Sequence, residues 1–222
     1  MKIAIGSDHA GYVLKETLEA WLLENGYEVT DLGTYSEERV DYPHYGALVG
    51  RAVARGDAEV GVAVCGSGQG ICMAANKVPG VRAALCYDVA SARNSREHND
   101  ANVLTLGGRL LTFTQAENVL RTWLATAFGG GRHAARVEKI MAIEQRIVAS
   151  LDPAEQALVL RWMTPALPPA ERAAWLGGAR QQMPAEAFAV LLEGARAALN
   201  DTAWAKLARA LGVAPVPGLV EV

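Results

Sequence analysis

The densest chemical signal in the chain is Cys65-Gly66-Ser67-Gly68-Gln69-Gly70. A thiol stands where the apolar stretch from Glu59 to Val64 ends, and glycines follow it at alternate positions. Glycine lets backbone N–H groups turn toward one point without Cβ obstruction, which forms a nest for anionic oxygens. A proton-accepting sulfur beside such a cradle suits removal of a proton from a carbon next to a carbonyl. The thiolate is the reactive form, so the nest and nearby positive charge must favour it. These glycines do not spell GxGxxG and bring no Walker lysine, which disfavours a dinucleotide site. Cys72 and Cys86 read as packing residues.

All four histidines, His9, His44, His98 and His133, lie before residue 150. His44 reads as a surface or capping residue. His9 follows Ser7-Asp8 at the exit of the first apolar stretch, where a phosphate or sugar would sit. His98 lies in Arg96-Glu97-His98-Asn99-Asp100, at a predicted helix end. An imidazole there can give or take a proton near neutral pH, or simply meet backbone carbonyls. Arg132 and Arg136 are four apart after Gly130-Gly131, a spacing that on a helix makes a fork for a phosphate dianion. Arginines at a helix start oppose its dipole, a small cost that an anion would offset. Arg109, after Gly107-Gly108, is a further candidate for a phosphate or hydroxyl contact.

Strand-like and helix-like segments alternate in the part of the chain that holds these residues. Strands are expected at Lys2–Ser7, Glu28–Leu32, Glu59–Val64, Val81–Cys86 and Asn102–Leu106. Leu14, Leu18, Trp21 and Leu22 phase an amphipathic helix that ends at Asn25-Gly26. Further helices suit Tyr45–Arg55, Gly70–Asn76, Val89–His98, Ala116–Thr126 and His133–Ala149. This order predicts an α/β fold: a doubly wound, parallel, five-stranded sheet in a Rossmann-like α/β/α sandwich. Ligands collect at the carboxyl ends of such strands. Asp8-His9, Cys65 and Gly107-Gly108-Arg109 all fall at those ends and can converge on one crevice.

Near residue 150 the chain changes character. Asp152-Pro153-Ala154-Glu155, Pro168-Pro169-Ala170-Glu171, Met183-Pro184-Ala185-Glu186 and Asn200-Asp201-Thr202-Ala203 each read as a helix start. The expected organisation is therefore a domain over 1–149 and an all-α extension of short helical repeats over 150–222. The extension holds no His or Cys, which disfavours a soft-metal or thiol site in it. Its Trp162, Trp175 and Trp204 read first as core residues.

With 222 residues and 51% hydrophobic content the chain can bury a sizeable core. A net charge of −3 argues against a nucleic-acid platform or an anionic-membrane binder. Three cysteines without a CxxC pair point to a reducing compartment. Neither a signal peptide nor a membrane span is read from the sequence, so a cytoplasmic protein is expected.

Taken together, Gly6-Ser7-Asp8-His9-Ala10-Gly11, Asp41-Tyr42-Pro43, Cys65 to Gly70, Asn76-Lys77, Arg82-Ala83, His98-Asn99, Asn102-Val103-Leu104 and Gly107-Gly108-Arg109 resemble ribose-5-phosphate isomerase B. The resemblance covers residues 1 to about 148, and the family is related to isomerases of galactose 6-phosphate and allose 6-phosphate. It implies an aldose–ketose isomerase of the pentose phosphate pathway that needs no metal or other cofactor. Ribose 5-phosphate and ribulose 5-phosphate would be its substrates.

By motif match the resemblance makes Cys65 the base and His98 the acid that opens the furanose ring. Backbone N–H groups of Gly66, Ser67, Gly68, Gln69 and Gly70, with the Ser67 hydroxyl, would hold the enediolate. Asp8 would contact sugar hydroxyls, and His9, Arg132 and Arg136 the phosphate. Asn99 and Arg109 would reach in from a neighbouring subunit, which implies a homodimer with shared sites; pairing into a tetramer is a further option. Two departures stand out: Ser67 where family members can carry Thr, and the extension beyond residue 150. Isomerisation of a six-carbon aldose 6-phosphate, or a non-catalytic sugar-phosphate sensor, remain as alternatives.

Overall fold

The computed structural model describes residues 1–150, 176, 180, 188–189, 192, 195–196 and 201–212. Two compact units divide the chain, Met1–Ala142 and Ile143–Val222. In the first, five parallel strands form one sheet: β1 (Lys2–Ser7), β2 (Glu28–Asp31), β3 (Val60–Cys65), β4 (Ala83–Leu85) and β5 (Val103–Gly107). Their spatial order is β2-β1-β3-β5-β4. The helices are α1 (Tyr12–Glu24), α2 (Tyr42–Ala54), α3 (Gln69–Ala75), α4 (Val89–Asn99), α5 (Phe113–Ala125) and α6 (Ala134–Ser150). This is the doubly wound α/β sandwich expected from the strand–helix alternation.

Strand alternation sorts the core into two layers. Ile3, Ile5, Val62, Val64, Leu104 and Leu106 pack with Leu14, Leu18 and Leu22 of α1 and with Val119, Leu120 and Trp123 of α5. Their neighbours in sequence, Ala4, Ala63, Cys65 and Val103, pack on the other face with Val49 of α2 and with Ile71 and Ala75 of α3. Side chains two apart on a strand share a face, so Cys65 emerges beside α3 in phase with Ala63. Successive connections leave the sheet in opposite directions at β1 and β3, which opens a crevice at their carboxyl ends.

Three elements depart from the expected bounds by two residues or more. Helix α2 begins at Tyr42, because Pro43 occupies the first turn, where its missing N–H costs nothing. Helix α5 begins at Phe113 behind a capping box of Thr112 and Gln115. Strand β4 is shorter than predicted: at its entry the Arg82 backbone N–H goes to the Asn102 side chain at 2.8 Å.

On α1, Lys15 is fully buried. Its Nζ donates to Asp31 Oδ2 at 2.5 Å and lies 2.6 Å from Glu16 Oε1. Burial works against the ammonium, but the hydrogen bonds to Asp31 and Glu16 outweigh it and raise the Lys15 pKa.

In the second unit, Leu176, Phe188, Ala195, Trp204, Leu207, Ala208 and Leu211 form a buried apolar cluster. Four of these belong to α7 (Asp201–Leu211), the helix expected after Asn200. Trp204 is thus a core residue, with Arg196 stacked over its ring. The helix starts expected at Asp152, Pro168 and Met183, and the residues Trp162 and Trp175, lie outside the described residues. No helix among the described residues is long and apolar enough to cross a membrane.

Candidate active site

Three strand ends are tied together by main-chain bonds. Asp8 N–H donates to Val64 O, Gly108 N–H to Cys65 O and Arg109 N–H to Gly66 O, at 3.1, 2.8 and 3.0 Å. The loops they anchor line a cavity of about 410 Å³ with Asp8, His9, Cys65, Gly66, Ser67, Gln69, Gly70 and Arg109 on its wall. The convergence expected from strand ends is therefore present.

The cradle is made mostly of backbone. Gly68 has φ 79°, and a Cβ there would lie 2.5 Å from Leu85 Cδ1 and 2.8 Å from the Leu106 carbonyl carbon. Only glycine tolerates both conditions. That turn sends the Gly68 N–H to Cys65 Sγ at 3.2 Å, so the sulfur accepts a hydrogen bond. Gln69 N–H donates to Ser67 Oγ at 3.3 Å, and Tyr87 OH fixes the Ser67 carbonyl from outside at 3.2 Å. Cys65 is 4% exposed, so its sulfur meets solvent mainly through the cavity mouth.

Asp8 is buried and ordered by its own loop. Its Oδ1 accepts from the N–H groups of Ala10 and Gly11, both at 3.0 Å. His9 Nδ1 lies 3.1 Å from Val40 O and 3.3 Å from Val40 N. A protonated ring would donate Nδ1–H to that carbonyl and keep Nε2–H for an anion.

His98, Asn99, Arg132 and Arg136 do not line this cavity. His98 and Asn99 close α4, whose C-cap Asp100 takes a left-handed conformation with φ 48°. Arg82 holds that cap through Asp100 O at 2.8 Å and Asp100 Oδ2 at 2.9 Å. Gly129 N–H donates to Glu97 O at 2.9 Å, and a 3₁₀ turn, Gly131–His133, follows. It lays the His133 ring on the His98 ring, with centroids 4.3 Å apart and planes 9° from parallel. Arg132 belongs to this turn and Arg136 to α6, so the spacing of four does not place both on one α-helical face as the sequence suggested.

The cluster is cationic. Lost solvation lowers the His133 pKa, and the charges of His98, Arg132 and Arg136 lower it further against the opposing pull of Glu97. Arg109, expected from a neighbouring subunit, lines the cavity from the same chain. Sequence reasoning assigned no role to Tyr42, Met73 and Ala10 on the cavity wall, to Tyr87, or to the His98–His133 stack. Tyr42 did have a signal, the Tyr-Pro step at a helix start. Among the described residues, the acidic group able to hold a cation is Glu16, Glu19 and Asp31, and the Lys15 ammonium already sits against it.

The parallel five-stranded sheet flanked by helices matches the fold of solved sugar-phosphate isomerases. The family model described as Ribose/Galactose Isomerase matches residues 3–140, and the chain belongs to that family. Ribose-5-phosphate isomerase B of Escherichia coli K12 is 50% identical over 145 residues, which are 65% of this chain and 97% of that protein. The solved ribose-5-phosphate isomerase B of Clostridium thermocellum is 52% identical with a TM-score of 0.66, covering 66% of this chain and 99% of its own. That of Mycoplasma genitalium, solved with bound ribulose 5-phosphate, is 40% identical with a TM-score of 0.63, covering 65% and 96%.

Proposed function

We propose that this protein interconverts ribose 5-phosphate and ribulose 5-phosphate through an enediolate formed at Cys65. The observation that carries the reading is the sulfur itself. It ends β3 inside a loop of main-chain donors and faces a cavity shared with Asp8, His9 and Arg109. Identity to the Escherichia coli enzyme along nearly its whole length supports the same substrate pair.

The furanose must open first. His98 gives a proton to the ring oxygen while the C1 hydroxyl gives its own to solvent water; the bond between C1 and the ring oxygen breaks and an aldehyde appears. Cys65 Sγ, as thiolate, then takes the proton on C2. The electron pair left behind forms the C1–C2 double bond, and negative charge moves onto O1. Backbone N–H groups of Gly66, Ser67 and Gly70, with the Ser67 hydroxyl, stabilise that oxygen, since Gly68 serves the sulfur. Sγ–H returns its proton to C1, the proton on O2 passes to O1, and the ketose results. Asp8 orients the sugar hydroxyls, and His9, Arg132 and Arg136 hold the phosphate.

Cys65 and His98 lie in separate groups of one chain, which supports a homodimer in which the His98 cluster of one copy completes the cavity of the other. Residues 1–149 carry the chemistry in this reading, and 150–222 are auxiliary. Three free cysteines fit a reducing, cytoplasmic setting.

The test is complementation. Cys65→Ala and His98→Ala proteins, each inactive, are unfolded together and refolded as a mixture. Mixed dimers contain one intact site, so about a quarter of wild-type ribose 5-phosphate turnover should return. Mixed dimers that form without recovering turnover would refute the shared site, and a wild-type protein without turnover would refute the activity.

A further inference from the structure

We propose that His133 is a positioning residue for His98: its ring, stacked face to face on the His98 ring, fixes the plane in which His98 moves a proton. The inference rests on the reading above, in which His98 opens the sugar ring.

His98 lies in the last turn of α4, where an unsupported imidazole can rotate about both side-chain torsions. The stack removes that freedom. Centroids 4.3 Å apart with planes at 9° leave the ring of His98 little room to tilt on that side. The His133 ring is itself anchored through its own backbone. His133 N–H donates to Gly130 O at 3.0 Å, and Gly129 N–H binds the loop to Glu97, the residue beside His98.

His133 is not committed to a structural hydrogen bond at Nδ1, which is shielded from solvent and lacks a partner. Its Nε2 has the Arg132 Nε at 3.5 Å, at the outer limit of an interaction. The groups that face it are His98, Arg132, Arg136 and Glu97; lost solvation and the first three favour its neutral form against the pull of Glu97. A neutral His133 ring can lie flat on the His98 ring without adding charge beside it. Proton transfer needs the donor nitrogen held within about 10–20° of its line to the acceptor, and a plate against the ring supplies that constraint.

The experiment compares wild type, His133→Ala and His133→Phe for ribose 5-phosphate turnover, and follows the His98 ring signals by NMR. His133→Ala should lower kcat about tenfold with KM within about twofold, because the phosphate contacts remain. His133→Phe restores a flat ring without nitrogen and should recover most of kcat. In His133→Ala the His98 signals should shift and report a more mobile ring; in His133→Phe they should not. A wild-type kcat in His133→Ala overturns the inference. So does a rise in KM alone, which would assign His133 to the phosphate, or a His133→Phe protein as slow as His133→Ala. Unchanged His98 signals in His133→Ala overturn the clamp whatever the turnover. A wild type without turnover whose His98 signals still loosen in His133→Ala sinks the isomerase reading and keeps the clamp.

Discussion

The surroundings of Cys65 and those of His98 are built in different ways. Around Cys65 the polar groups are mostly main-chain N–H donors, locked by the ends of β1, β3 and β5 and by the left-handed turn at Gly68. Around His98 they are long or aromatic side chains, gathered where the end of α4 meets a short 3₁₀ turn. The first region is concave and buried by the sheet edge. The second concentrates positive charge and lies outside that cavity. Stabilising a transient oxyanion demands donors that do not reorganise, which backbone supplies. Seizing a phosphate or moving a proton calls for ionic side chains, which can be contributed across a subunit boundary.

Three substitutions test that contrast. Cys65→Ala should give the largest effect, a fall in kcat of about 10³-fold or more with ligand affinity nearly unchanged, measured by steady-state kinetics and calorimetry. Retained turnover would break the comparison at its centre. Gly68→Ala comes next, since the added Cβ meets Leu85 and the Leu106 backbone in a conformation that suits glycine. It should cost about 2 kcal/mol in urea melts and lower kcat by about 10²-fold, as the donor to Sγ is displaced. Wild-type behaviour would mean the cradle is softer than its geometry implies. Arg136→Ala should have the smallest effect, a KM raised about tenfold with kcat nearly intact, as follows from the phosphate contact proposed for it while the cradle stands. A collapse of kcat instead would put Arg136 at the reacting carbons.

The same contrast explains what the sequence disclosed. Strand β1 matched its expected bounds, because a buried parallel strand announces itself by an apolar run. Cys65 with its glycines was legible because one loop holds all of its parts. Helix starts were missed where the signal was a cap or a proline, at Thr112 and Pro43, and not a hydrophobic period. The His98–His133 stack was not legible, since it joins residues 35 positions apart through a loop whose path depends on Gly129 meeting Glu97. Spacing also misled at Arg132, where the tighter turn replaces the α-helix that an interval of four presumes.

The ion group at Lys15 has one more consequence. Since the fold raises the affinity of this amine for its proton, the stability it contributes is whole at neutral pH and persists past the point where a free lysine would discharge. It fades as pH climbs through the elevated value, leaving Glu16, Glu19 and Asp31 facing one another without their counter-ion.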